Sequence, residues 1–230
     1  RSLIQAVDRE KYNLLLIGVS RDGKWYLRKD IYSPEKSNAI ESGHGELLMR
    51  KEAEGSSLLP EGKSGDLLKL DVVFPIMHGS YGEDGTIQGF LKALDIPFVG
   101  VDLMDSAIGM DKDMAKRIWR DAGIPIARYR CLTRRDLSNL DQSSIVEELG
   151  LPLFVKPAKA GSSVGVHKVI AARDLRAAVE DALRYDHKVL VEEAVPGREV
   201  ECAVLGNEEP RASILGEIIP QSDFYSYQAK

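Results

Sequence analysis

Residues 154–166 read FVKPAKAGSSVGV, and this string constrains the fold more than any other. An apolar strand ends at Lys156, a loop rich in small residues follows, and a second strand runs from Gly165 to Ile170. The loop therefore joins two strands. The GxxxxGK[ST] string of a Walker A loop is absent, so the strand–loop–helix phosphate cradle is excluded. The chemistry of the string still suits an anion. Glycines let backbone N–H groups approach oxygen closely, serine hydroxyls add donors, and Lys156 supplies a point charge. Pro157 restricts the direction in which the chain leaves that lysine. A plain β-hairpin with a glycine–serine turn and an exposed lysine fits the same residues, and the string alone leaves both readings open.

Three weaker signals accompany it. In VLVEEAVPGREVECAVLG, residues 189–206, an apolar strand ends in Glu192 and Glu193 and enters the connection Ala194–Arg198. A carboxylate only accepts hydrogen bonds, so Glu192 suits an exocyclic amine and Glu199 suits ribose hydroxyls. Alternation puts Glu199 and Glu201 on one face and Val200, Cys202 and Val204 on the other, which equally describes the solvated side of a half-buried strand. In MDK, Met110–Lys112, Asp111 is a good N-cap, yet Lys112 falls in the first helical turn, where the dipole disfavours a cation. An anion at that helix N-terminus resolves the conflict, as does a solvated surface lysine. HGSYGEDG, His78–Gly85, follows an apolar run and precedes a helix, the position where ligands bind in open parallel sheets. His78 is its candidate for contact with a carboxylate or amine, with Glu83 placed to set the imidazole's tautomer. A satisfied loop histidine is the competing reading.

Hydrophobic patterning supplies the frame. Tyr12–Val19 reads as a strand, Asp22-Gly23 as a turn, and Lys24–Leu27 as the returning hairpin arm. Tyr32–Gly65 is polar and weakly patterned. Strand Asp71–Met77, helix Thr86–Leu94 and strand Ile96–Val99 follow in a rhythm that predicts a parallel sheet with helices on its faces. The helix should bury Ile87, Phe90, Leu91 and Leu94. A helix capped by Asp111 should run through Ala122 and stop at Gly123, with Met114, Ala115, Ile118, Trp119 and Ala122 as its apolar stripe. Strands Arg128–Leu132, Leu153–Lys156, Gly165–Ile170 and Val189–Glu193 should alternate with helices at Ser143–Leu149 and Arg173–Tyr185. Glu199–Leu205 and Arg211–Ile219 should form an antiparallel pair. The domains predicted are 1–100, 101–193 and 194–230.

Composition excludes some partners. The 230 residues carry a formal net charge of -5, which argues against nucleic acid. No apolar run approaches the roughly 18 residues a membrane helix needs, and no signal peptide is visible. The two cysteines, Cys131 and Cys202, do not make a disulfide framework and are expected reduced. His44, His167 and His187 lack metal-ligand spacing, and nothing around Ser162 and Ser163 suggests a catalytic triad. Helical spacing begins at Leu3 with no initial methionine, and the polar stretch to Lys230 lacks a closing element, so a fragment is expected.

The order of the signals is more specific than any one of them. HGSYGEDGTIQG, FVGVDLMDSAIGMDK, LPLFVKPAKAGSSVGV, VEEAVPGREVECAVLG and SDFYSYQAK together resemble D-alanine–D-alanine ligases over nearly the whole chain. The resemblance implies an α/β ATP-grasp fold: an N-terminal α/β parallel-sheet domain, a central ATP-grasp domain and a truncated C-terminal domain, with ATP between the last two. It implies that Lys112 and Lys156 contact phosphates and that Gly161, Ser162, Ser163, Val164 and Gly165 form the mobile loop above them. Glu192 matches the adenine-side glutamate, with Glu193 beside it, Ala194 and Val195 match the hinge, and Glu199 matches the ribose glutamate. His78 resembles the histidine near the first D-alanine, with Glu83 as its partner, and Ser162 resembles the serine that positions that substrate. Tyr227 and Lys230 resemble functional members of a closing loop. Ala160 departs from members with an acidic or amide residue there. The resemblance further implies Mg²⁺ with ligands beyond Lys230, a cytoplasmic homodimer, and a role in peptidoglycan synthesis. A D-alanine–D-lactate or D-serine ligase, and a nucleotide-binding module without ligase chemistry, are the alternatives.

Overall fold

The computed structural model describes residues 2–20, 22–28, 46–51, 56–60 and 68–219. The chain divides into two compact units, Arg1–Pro75 with Gly89–Gly100, and Ile76–Gln88 with Val101–Lys230. The HGSYGEDG loop thus clusters with the second unit.

The first unit holds helix α1 (Ser2–Ala6) and strands β1 (Leu16–Val19), β2 (Trp25–Arg28), β3 (Leu47–Lys51), β4 (Ser56–Pro60) and β5 (Leu68–Lys69). β1 and β2 form the predicted hairpin, with Ile17 opposite Leu27 and Val19 opposite Trp25. The order β3-β4-β5 is also antiparallel. The parallel sheet expected in this region is a correction: among the described residues it amounts to one bridge, Val73 with Phe98. Val73 N–H donates to Pro97 O at 2.8 Å and Val99 N–H to Val73 O at 2.9 Å. Pro75 and Pro97 lie inside the two predicted strands, and each removes a ladder donor, so pairing stops after that bridge.

Helix α2 (Thr86–Ala93) buries Ile87 and Leu91, as its period requires, while Phe90 stays 43% exposed beside the Trp25 ring at 5.9 Å. Helix α3 (Leu103–Met110) was not foreseen. Its signal was Asp102, whose side chain accepts the Leu103 N–H at the N-terminus. Helix α4 (Lys112–Asp121) begins where expected: the Asp111 carboxylate accepts the N–H groups of Asp113 and Met114 at 3.1 and 3.2 Å.

The heart of the second unit is an antiparallel sheet of order β6-β9-β7-β8, with β6 Tyr129–Thr133, β7 Leu153–Pro157, β8 His167–Val169 and β9 Lys188–Glu193. Helices α5 (Gln142–Leu149) and α6 (Leu175–Ala182) cover one face. That face supplies Leu132, Leu153, Val155, Val169, Val189 and Val191 to a closed apolar core with Ile145, Leu149, Leu175 and Val179. Burying each such side chain contributes about 1.5–3 kcal/mol.

The opposite face belongs to α4, and here the predicted stripe is corrected. Ala115 is buried, but Met114, Ile118 and Trp119 are 43–47% exposed. The side chains that meet the sheet are polar, because Asp113 finds Tyr129 and Lys188 on the strands. Beyond β9, strands β10 (Glu199–Glu201), β11 (Val204–Leu205), β12 (Arg211–Ala212) and β13 (Gly216–Ile218) pair antiparallel as β10-β13 and β11-β12, the arrangement expected from the alternation.

Candidate active site

Strand alternation brings Lys156, Lys188, Leu190, Glu192, Tyr129 and Cys131 to the face opposite the apolar core. The charges on it are arranged in two groups. In the first, Lys188 Nζ bridges Asp111 at 2.8 Å and Asp113 at 3.0 Å, while Tyr129 donates to Asp113 at 3.0 Å and Arg117 Nε donates to it at 2.9 Å. Asp113 is buried, which alone would raise its pKa, but hydrogen bonds from Arg117, Lys188 and Tyr129 hold it below the usual carboxylate value. Lys188 likewise stays above the ordinary lysine value: burial opposes its charge, and the two carboxylates outweigh burial. This group fastens the start of α4 to β6 and β9.

The second group centres on Glu192. Lys156 Nζ donates to Glu192 Oε1 at 2.8 Å, and Lys116 Nζ stands 3.0 Å from Oε2. Oε2 is buried and the Lys116 approach lies outside hydrogen-bonding angles, so Lys116 acts there as a charge and not as a directed donor.

Lys112 sits between α4 and the loop after β7. Its N–H donates to Ala158 O at 3.0 Å, and its ammonium reaches the carbonyls of Pro157, Ala158 and Ala160 at 3.3, 3.3 and 2.8 Å. Those carbonyls answer the dipole conflict read from the sequence without an anion. Burial, then the neighbouring charge of Lys156, hold the Lys112 ammonium below the ordinary lysine value.

The loop itself is sprung. Ser162 and Ser163 both adopt positive φ, +53° and +60°, and Val164 N–H closes the turn on Gly161 O at 3.1 Å. Non-glycine residues occupy this region at a cost, most often where the backbone serves a function. Gly165 follows at φ +66°, and a Cβ there would lie 2.5 Å from Tyr185 Cδ2, so no larger residue fits. The root of the loop is tied by Lys159 N–H to Asp186 Oδ2 at 2.8 Å and by Ala158 N–H to Lys188 O at 2.9 Å.

Other expected residues lie apart from this cluster. His78 is exposed, and it does not end a strand. Glu83 turns back on its own loop, its carboxylate accepting the Gly79 N–H at 2.5 Å. Glu193 is held by Arg128, whose backbone N–H donates at 2.7 Å and whose Nε donates at 2.6 Å; these bonds keep its carboxylate low. Ala194 is half-buried, Val195 is exposed, and Glu199 is exposed on β10. Tyr227 and Lys230 lie outside the described residues. A cavity of about 430 Å³ opens between Asp84, Thr86, Ile108, Met110 and Lys159. It does not include Lys156 or Glu192, and Asp84 is already occupied by the N–H groups of Tyr81 and Thr86. Among the described residues no group of three or more His, Cys, Asp or Glu side chains stands together to hold a metal ion. None of their helices is long and apolar enough to cross a membrane.

The sequence reading missed Lys116, Asp113, Arg117 and Lys188. Their one visible signal was spacing: Asp113 with Lys116 and Arg117 at i+3 and i+4 places acid and bases on one helix face.

Two family models match the chain, D-ala D-ala ligase N-terminus over residues 1–101 and D-ala D-ala ligase C-terminus over residues 118–230. The D-alanine–D-alanine ligase A of Chromobacterium violaceum is 49% identical, with all of this chain and 64% of that relative covered. The solved D-alanine–D-alanine ligase of Coxiella burnetii is 34% identical with a TM-score of 0.80, over 94% of this chain and 64% of that one. The VanG D-Ala:D-Ser ligase of Enterococcus faecalis is 33% identical with a TM-score of 0.80, over 98% and 65%. The chain thus spans about 64% of the length of these relatives.

Proposed function

The chain belongs to the D-alanine–D-alanine ligase family, and from that premise we propose that the full-length protein joins two D-alanines at the expense of ATP for peptidoglycan synthesis. The carboxylate of the first D-alanine attacks the γ-phosphate and forms an acyl phosphate. The amine of the second attacks that carbonyl, and phosphate leaves. The observation that carries this reading is the placement of two lysines at the root of the glycine–serine loop: Lys156 on the strand that enters it, and Lys112 with its ammonium 2.8 Å from the Ala160 carbonyl.

The residues divide the work as follows. Lys156 takes the α- and β-phosphates as a point charge. Lys112 keeps the loop's root in place and adds positive potential. The N–H groups of residues 161–165 fold over the phosphates, and Ser162, exposed at the tip, faces the first D-alanine. Glu192 and Glu193, with Ala194 and Val195, border the adenine, and Glu199 takes the ribose. His78 and Glu83 serve the D-alanine side, and Tyr227 and Lys230 serve closure. Positioning and charge neutralisation supply most of the acceleration in phosphoryl transfer. Mg²⁺ is the companion expected of ATP here, and among the described residues no group of three or more His, Cys, Asp or Glu side chains stands together to hold it. The full-length protein acts in the cytoplasm as a homodimer.

Incubation of the full-length protein with ATP and D-alanine should release phosphate and yield the dipeptide. Preference for D-serine or D-lactate as second substrate would move it to a sibling activity, and nucleotide binding without either product would reduce it to a binding module. Lys156→Ala should raise the apparent ATP constant roughly ten- to a hundredfold, the loss of a hydrogen bond to a charged group, and leave both D-alanine constants within about threefold. Equal weakening of all three would make Lys156 a structural residue.

A further inference from the structure

Glu192 has two cationic neighbours of unequal freedom. Lys156 is 24% exposed, on a strand that leads directly into the glycine–serine loop. Lys116 is 12% exposed and fixed from three sides: Glu192 Oε2 at 3.0 Å, the Ala127 carbonyl at 3.4 Å, and the Tyr129 ring, whose centroid lies 5.3 Å from Nζ. Glu192 itself is 12% exposed. An anion that draws Lys156 away therefore leaves a nearly buried carboxylate behind. Breaking one partner from a buried ion pair is costly when nothing replaces it. Lys116 is the group that remains.

We propose that Lys116 is a positioning residue: it keeps Glu192 compensated, and so sets how readily Lys156 is released from Glu192 to a nucleotide's phosphates. This rests on the nucleotide-binding reading above. Lys116 touches neither base nor phosphate in this role; it acts through Glu192 and Lys156. Without it, Glu192 and Lys156 hold each other and phosphate must compete for the lysine. With it, the carboxylate has a standing partner and Lys156 is free to exchange.

The test is calorimetric binding of ADP and of adenosine to the full-length protein. Lys116→Met should weaken ADP about tenfold and adenosine by less than about threefold, because only ADP needs Lys156. Lys116→Arg, which retains the charge, should restore ADP to within about threefold of the parent. On a Lys156→Met background, where ADP is already weak, Lys116→Met should cost less than about threefold more, since the coupled pair is gone. Lys116→Met with ADP binding within about twofold of the parent would overturn the proposal. So would equal losses for ADP and adenosine, or the same loss on the Lys156→Met background. Where Lys116→Met does not fold, Glu192→Gln removes the charge that needs a partner. On that background Lys116→Met should change ADP by less than about threefold, and a tenfold loss would refute the role. A parent protein that binds neither ADP nor adenosine would instead strike down the nucleotide reading itself, together with this proposal.

Discussion

The two faces of the β6-β9-β7-β8 sheet use one backbone for opposite purposes. The helix-covered face is closed and apolar, with Leu153, Val155, Val189 and Val191 at 0% exposure. Its side chains have no alternative partners, so its arrangement is fixed by close packing. The face under α4 is ionic, and its members have partners to exchange: Lys156 with Glu192, Lys188 with Asp111 and Asp113, Lys116 with Glu192. One face contributes stability through area removed from water. The other holds charge at a near-buried position, where desolvation offsets much of the attraction and the net gain is small. A face of the second kind is poor as glue and well suited to binding an anion.

That contrast can be broken at its strong end first. Leu153→Ala should destabilise the protein by about 2–5 kcal/mol, since the cavity forms between two strands and two helices that cannot collapse onto it. Denaturant melts measure the loss. Nucleotide affinity of the remaining folded fraction should be unchanged; a large change would mean the two faces are not separable.

Asp113→Asn tests the ionic face. It should cost about 1.5–3 kcal/mol at neutral pH through weakened hydrogen bonds from Lys188, Arg117 and Tyr129. The sign with pH follows from the depressed carboxylate. Its folded value lies below 3.8, so its contribution is fully present above that pH and lost as pH falls toward the folded value. Stability curves for the parent and the variant should therefore converge as pH falls below 3.8 and through the folded value. A gap that stays constant into acid would show that Asp113 contributes by shape and not by charge.

The smallest effect sharpens the picture of the same face. Burial, then the Asp113 charge, push the Cys131 thiol from the ordinary 9.0 up to about 11. Cys202 is exposed. In the native protein a thiol reagent at pH 8 should modify Cys202 promptly and Cys131 about a hundredfold more slowly, in proportion to its thiolate. Under denaturing, non-reducing conditions both should react. Equal native rates would mean that α4 does not cover that face.

Local features were legible because their causes are local. The Asp111 cap, the Gly123 stop, the Asp22-Gly23 turn and the strand period of residues 188–193 each depend on residues a few positions apart. The loop at 161–165 could be read as an anion cradle from its composition, and its position between two strands was correct. The α4 stripe misled because Met114, Ile118 and Trp119 have helical spacing whether or not the unit holds a surface to receive them.

By itself, then, the sequence determined the sheet strands of the second unit and its helices apart from α3, the antiparallel return at residues 199–218, and the ligase family through the order of its motifs. Only the tertiary structure decided which charges meet. Lys156 and Glu192 are 36 residues apart, and Lys188 and Asp113 are 75 apart. No period in the chain encodes those pairings. They follow from the register of β7 and β9 and from the face of α4 that the sheet accepts, because charges separated so far in sequence interact only once packing has removed the water between them.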